Sequence, residues 1–202
     1  MPITYTGRLV KPGNGEHPSL LDIAVGLSRQ PRFAGQTMVW WSVLDHTLFG
    51  HELIKRRLER GVPLVAVDDT KARRVVQIAW LLHDAHEALT GDVPSDIKGH
   101  DLKSIQTGFD FNIYRAFTGW GCLRPDTAEL VKTTDRTALA AEARVLAHHA
   151  FPRMIVGETV DEAEAELWQL LSRRWLGVPP LREEQETHPG VVEYLRRITE
   201  LL

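Results

Sequence analysis

Apolar positions along this chain recur mostly at helical spacing, and few stretches alternate with period two. A short helix is predicted over residues 20–28, with Ser19 as its cap. From residue 37 to about 60, Val39, Val43, His46, Leu48, Leu53 and Ile54 recur at near-helical spacing, and Gly61-Val62-Pro63 ends the run. A second strong helix is predicted over residues 70–89. Its middle, VVQIAWLLHDAHEAL, is apolar on most sides and therefore belongs in the core. Gly91 follows where a helix C-terminal glycine is expected. Further helices are predicted over 103–117, over an Ala- and Leu-rich 127–149, over 160–175, and from 191 to the last residue. The first twenty residues carry Pro2, Pro12, Gly13, Gly15 and Pro18, and read as loop with a short strand at ITYTGRLV. The class is all-α.

Composition changes this picture little. The 202 residues suit one compact domain over 1–202, with a core at about 20–150 and helices over 160–202 packing on it. The formal net charge is −3 and no long basic run occurs, which argues against a partner as highly charged as duplex nucleic acid. A small anionic ligand stays open, because a local pocket of cations can act against a mildly acidic background. Cys122 is the single cysteine, so neither an intrachain disulfide nor a thiolate zinc cluster is available. The opening MPITYTGRLV lacks a signal-peptide pattern, and no window has the length of an apolar membrane span. A cytoplasmic protein without membrane contact is expected.

The densest chemical signal is His83-Asp84-Ala85-His86-Glu87, inside an apolar helix. Charged residues rarely sit in such a context unless they are paired or bind a metal. On a continuous helix His83 and Glu87 share a face, and Asp84 can reach toward the same point. Two ligands do not make a tight site. Others are available at His46, in WWSVLDHTLFG, and at Asp135, in VKTTDRTALAAE near the start of a later helix. His46, His83, Asp84 and Asp135 together form a two-His, two-carboxylate set with open positions. That set suits a divalent ion such as Zn²⁺, Mn²⁺, Co²⁺, Fe²⁺ or Mg²⁺ in hydrolytic chemistry.

An isolated His, then His-Asp, then a distant Asp resembles the HD-domain metal-dependent phosphohydrolases, whose fold is a compact helical bundle. HDAHEALTGDVPSDIK is similar to the signature of the 5′-deoxynucleotidase branch and related phage and bacterial deoxynucleotide phosphohydrolases. The opening TYTGRLV, DIAVGLSRQPRFAGQT and WSVLDHT resemble their N-terminal segment, so the similarity spans roughly residues 3–142. The resemblance implies that Glu87 acts on the attacking water and that Asp92 lies near that water or the sugar hydroxyl. It implies that Arg32 and Lys98 meet phosphate, with Phe33 as the aromatic position beside Arg32. Many relatives carry Gly-His-Thr where this chain has Gly35-Gln36-Thr37, which puts the substrate contact at Gln36 in question.

Each of these residues also has a plain structural reading. His46 could be a core histidine, Asp135 a cap or ion-pair partner, Glu87 the partner of a lysine, and Asp92 a turn residue. Arg32, Gln36 and Lys98 could simply be solvated. His86 could touch a second metal, orient a ligand or face solvent. His51, His148 and His149 read as structural, and ELWQLLSRRWL as core or a subunit interface, with a dimer the expected oligomer. The leading functional expectation is a nucleotide phosphohydrolase acting on a small-molecule substrate, first a 5′-deoxynucleotidase on dNMP. The alternatives are a deoxynucleoside triphosphate phosphohydrolase and, in another class, a non-catalytic nucleotide-binding HD sensor.

Overall fold

The computed structural model describes residues 2–61, 69–94, 97–147, 158–177 and 188–202. Among them the order of elements is α1 (Leu20–Ser28), a tight turn at Arg32–Gly35, α2 (Val43–Arg60), α3 (Thr70–Leu82), α4 (Glu87–Thr90), α5 (His100–Thr118), α6 (Pro125–Leu146), α7 (Glu158–Gly177) and α8 (Pro189–Leu201). The all-α class follows directly. His148, His149 and the side chain of Trp175 lie outside what is described.

Local chemistry explains the element boundaries. Ser19 caps α1 through a reciprocal box in which Asp22 returns a bond to the Ser19 backbone. Ser42 and Asp45 repeat that device at α2, so the helix begins at Val43 rather than near residue 37. Residues 37–41 are instead non-helical and lead into Ser42, which forms an isolated antiparallel bridge with Pro31. The expected strand near the N-terminus is only a single bridge, between Ile3 and Leu9. Thr6 is fastened to Asp22 through its backbone N–H at 2.7 Å and its hydroxyl at 3.0 Å. Asn112 on α5 holds the following loop by donating to the carbonyls of Lys11 and Glu16.

The expected continuous helix over 70–89 is broken. α3 ends at Leu82, and the N–H groups of His83, Ala85 and Glu87 reach back three residues instead of four. That tightening is the 3₁₀ pattern that often closes a helix. α6 runs from Pro125, which places Asp135 in mid-helix rather than near its start, and it ends at Leu146.

Two apolar clusters frame α2. One gathers Ile23, Leu27, Leu44, Ile54, Leu81, Leu82, Ile113 and Tyr194 from α1, α2, α3, α5 and α8. The other gathers Trp41, Phe49, Leu53, Ala138, Ala141, Ala163 and Leu167 around α2, α6 and α7. α2 touches α1, α3, α6, α7 and α8, so it is covered on most sides. Gly50 on α2 makes room for Trp80: a β-carbon there would fall 1.9 Å from the indole Cζ2. Among the described residues, no helix is long and apolar enough to cross a membrane.

Candidate metal centre

α2, the end of α3 and the middle of α6 bring His46, His83 and Asp135 together. One donor atom from each lies within 4.8 Å of the others, a spacing that a single ion can bridge. His46 Nε2 is 3.2 Å from Asp135 Oδ1 and 3.8 Å from Asp84 Oδ2. His83 Nε2 is 3.1 Å from Asp84 Oδ2. Both Nε2 atoms are buried, and neither has an aligned hydrogen-bond partner among the described residues despite these close approaches.

The other ring nitrogens show why. His83 Nδ1 is 2.6 Å from the carbonyl oxygen of Trp80. A carbonyl only accepts, so Nδ1 carries the proton and the Nε2 lone pair faces the cluster. His46 Nδ1 is 2.8 Å from Glu142 Oε1, which selects the same tautomer when the ring is neutral. The His83 ring also stacks on Trp80 at a 4.3 Å centroid distance, and Trp80 donates its indole N–H to the Thr47 carbonyl. The ring is therefore held by both packing and hydrogen bonding.

Electrostatics agree with a cation site. Burial, then Arg32, oppose a proton on His46, yet Glu142 and Asp135 outweigh them and raise its pKa to about 10. Burial likewise opposes a charge on His83, and Asp84 reverses the sign. Burial pushes the Asp84 carboxyl up, but His83, His46 and Arg32 hold it far below the usual carboxylate range. The carboxylates here thus favour positive charge between them, which a divalent ion would supply. Asp135 keeps 38% of its side-chain surface exposed, so the cluster is open on that side. The donor set of imidazole and carboxylate groups fits a borderline divalent ion.

Arg57 fixes α6 against α2. Its guanidinium donates to Thr134 at 2.8 Å and Thr137 at 3.1 Å, the residues that flank Asp135 along the helix. Asp135 is therefore neither a cap nor an isolated surface acid.

Beside the cluster, Glu87 is buried, with Oε1 3.5 Å from Lys98 Nζ and Oε2 without an aligned partner. Burial, then Asp84 and Asp92, push its carboxyl above the ordinary range. Its position comes from the tightened segment at residues 83–86 and not from a shared face of one long helix. Burial raises Asp92 as well, although Arg32 pulls the other way. Arg32 Nη1 is 3.9 Å from Asp92, and Nη2 is 3.1 Å from Glu142. Its guanidinium lies over the Phe33 ring. Phe33 and Ala34 adopt left-handed backbone with φ of 54° and 51°, a costly conformation for residues with a β-carbon. Gln36 is exposed at the end of that turn. His86 is 8% exposed, which removes the solvent-facing reading, and its Nδ1 pairs with Asp110 at 2.9 Å.

Sequence reasoning missed Glu142. Its side chain is fully buried and receives Trp41 Nε1 at 2.9 Å as well as His46 and Arg32. The available signal was an acid two helical turns beyond Asp135, on the same face of an alanine-rich stretch. A separate cavity of about 540 Å³ lies between the start of α3 and the α5–α6 connection, lined by Val75, Val76, Trp120 and Leu123. It shares no residue with the cluster.

No protein-family model matches the chain, and no curated protein matches it. Among solved structures, the chain is similar to the cyanophage S-2L HD phosphohydrolase DatZ, bound to dA and one catalytic Zn²⁺ ion. Identity is 18% and the TM-score 0.51, over 92% of this chain and 99% of that one. A likeness at this identity speaks to architecture alone: the all-α chain shares its overall fold with that structure.

Proposed function

We propose that this chain is a metal-dependent hydrolase of a phosphate ester or anhydride in a deoxynucleotide, with deoxynucleoside monophosphates as the leading substrates. The observation that carries the reading is the pair of Nε2 lone pairs, on His46 and His83, aimed at one point beside Asp135. Asp84 Oδ2 lies 3.1 Å from His83 Nε2 and 3.8 Å from His46 Nε2, which supports it as a fourth ligand beside the three-residue cluster. When bound, a divalent ion supplies Lewis acidity and a water nucleophile at neutral pH.

The chain's own residues supply the rest. Glu87 carries a carboxyl whose proton affinity is raised toward neutrality, so it can take a proton from water at Oε2 and return it to the leaving oxygen. Asp92 and Arg32 lie within reach of each other, Oδ2 to Nη1 at 3.9 Å. Arg32 is suited to a phosphoryl oxygen, and its planar donors match such a group in pairs. Lys98 adds a point charge near Glu87. The nucleoside bound to the similar cyanophage protein supports a deoxynucleoside as the organic part.

Among the described residues, Arg32 already faces Glu142 and Lys98 faces Glu87, so these two cations have little free positive charge to offer a long phosphate chain. This favours monophosphates over triphosphates. Release of orthophosphate from a panel of dNMPs and dNTPs, with each divalent metal and with chelator, tests the proposal. Metal-dependent turnover of dNMP supports it. Turnover of dNTP alone moves the reading to a triphosphohydrolase, and nucleotide binding without turnover moves it to a sensor.

A further inference from the structure

Glu142 joins parts of the site that come from distant segments. Oε1 receives the Nδ1–H of His46 at 2.8 Å and the indole N–H of Trp41 at 2.9 Å. Oε2 receives Nη2 of Arg32 at 3.1 Å. The side chain is 0% exposed, so no water competes for these bonds. Arg32 begins the left-handed turn at Phe33 and Ala34, whose backbone strain has to be offset by contacts elsewhere.

We infer that Glu142 is a positioning residue, a single anchor on α6 that fixes both the metal-facing ring of His46 and the anion-facing loop at Arg32. Three donors need an acceptor-only group with both oxygens engaged, which a carboxylate provides and an amide does not. An amide oxygen can keep His46 and Trp41, but its NH₂ then meets the Arg32 donor. Carboxylate contact also raises the basicity of a metal-binding imidazole, and loss of such an outer partner typically weakens metal affinity by about 10- to 100-fold. The inference rests on the metal-site reading above and adds a named residue that does not itself face the ion.

The test is titration of the chelator-stripped full chain with Co²⁺, followed by its visible absorption spectrum, for wild type and Glu142→Gln. The expected result is Co²⁺ binding weakened by about 10- to 100-fold with an altered ligand-field spectrum. An accompanying rise in KM for the nucleotide substrate reports the loosened Arg32. If E142Q binds Co²⁺ like wild type, with the same spectrum, Glu142 only packs and the inference is overturned. If wild type itself binds no Co²⁺, the metal-site reading fails first, so the two failures are distinguishable. Should E142Q not fold, zinc-loaded wild type gives a second readout by proton and nitrogen NMR. A His46 Nδ1–H in slow exchange with water supports the anchor, and an Nδ1 without a proton overturns it.

Discussion

Gly50 lies flat against the indole of Trp80, with no room between them for even a methyl group. That indole stacks on His83 and bonds to the Thr47 carbonyl, so the glycine governs where a candidate metal ligand stands. Gly50→Ala forces Trp80 to move in a well-packed region, and overpacking of this kind costs about 1–3 kcal/mol. The expected outcome is a lower denaturation midpoint together with weaker metal binding. Chemical denaturation and metal titration of the same variant check it, and an unchanged metal affinity would show that Trp80 does not steer His83.

Asp135→Asn removes the anionic donor from the three-residue cluster while keeping its shape. Metal affinity is expected to fall by more than the roughly 100-fold that loss of an outer partner costs. His46→Gln is expected to act the same way. Isothermal titration with Zn²⁺ measures both, and retention of wild-type affinity in either variant removes that residue from the ligand set.

Glu87→Gln separates proton handling from metal holding. Loss of a general acid–base group typically lowers kcat by about 100- to 10,000-fold. Metal affinity should stay near that of wild type, because the carboxylate is not in the three-residue cluster. Steady-state kinetics beside metal titration decide the matter. A joint loss of metal and activity would place Glu87 among the ligands instead.

His51 supplies a pH effect away from the cluster. It is 3% exposed, and burial, then the Arg197 guanidinium 3.1 Å from its Nδ1, lower its pKa from 6.5 to about 4. The unfolded chain therefore takes up this proton before the folded one does. The contribution to stability is intact above pH 6.5 and is lost as pH falls toward 4, by about 3 kcal/mol at most. His51→Gln should show a shallower loss of stability across that window. Denaturant melts at steps between pH 7 and 4 read the slope, and parallel curves for the two proteins would rule the effect out.

Much of the bundle was legible because capping and periodicity are local. Ser19 and Asp22 announce α1 within four residues, and the predicted range of 20–28 matches the observed one. The start of α2 was misplaced because Val39 and Val43 share a helical spacing that Ser42 and Asp45 override by capping. The break after Leu82 left no local sign, since no Gly or Pro interrupts the run from Val75 to Leu89. His46, His83 and Asp135, which the fold brings together, could be named as candidates from residue type and order. Glu142 could not, because its importance lies in three partners that approach from Arg32, Trp41 and His46. Arg57 was missed likewise, its threonine partners being ordinary helix residues until α2 and α6 meet.

α6 carries Asp135 on one side of the His46 ring and Glu142 on the other, seven residues along the same rod. At the rise of an α-helix that separation is roughly 10 Å, so neither carboxylate can shift along the axis without the other. Sliding α6 by a fraction of an ångström would slacken one grip on the imidazole while tightening the opposite one. α7 packs along α6, sharing a cluster with Ala138 and Ala141 between the two carboxylates, and Arg144 bonds across to Asp161 at 2.9 Å. Substitutions on that outer layer thus gain leverage over the histidine they never touch, and retuning the centre does not require altering any group that faces it.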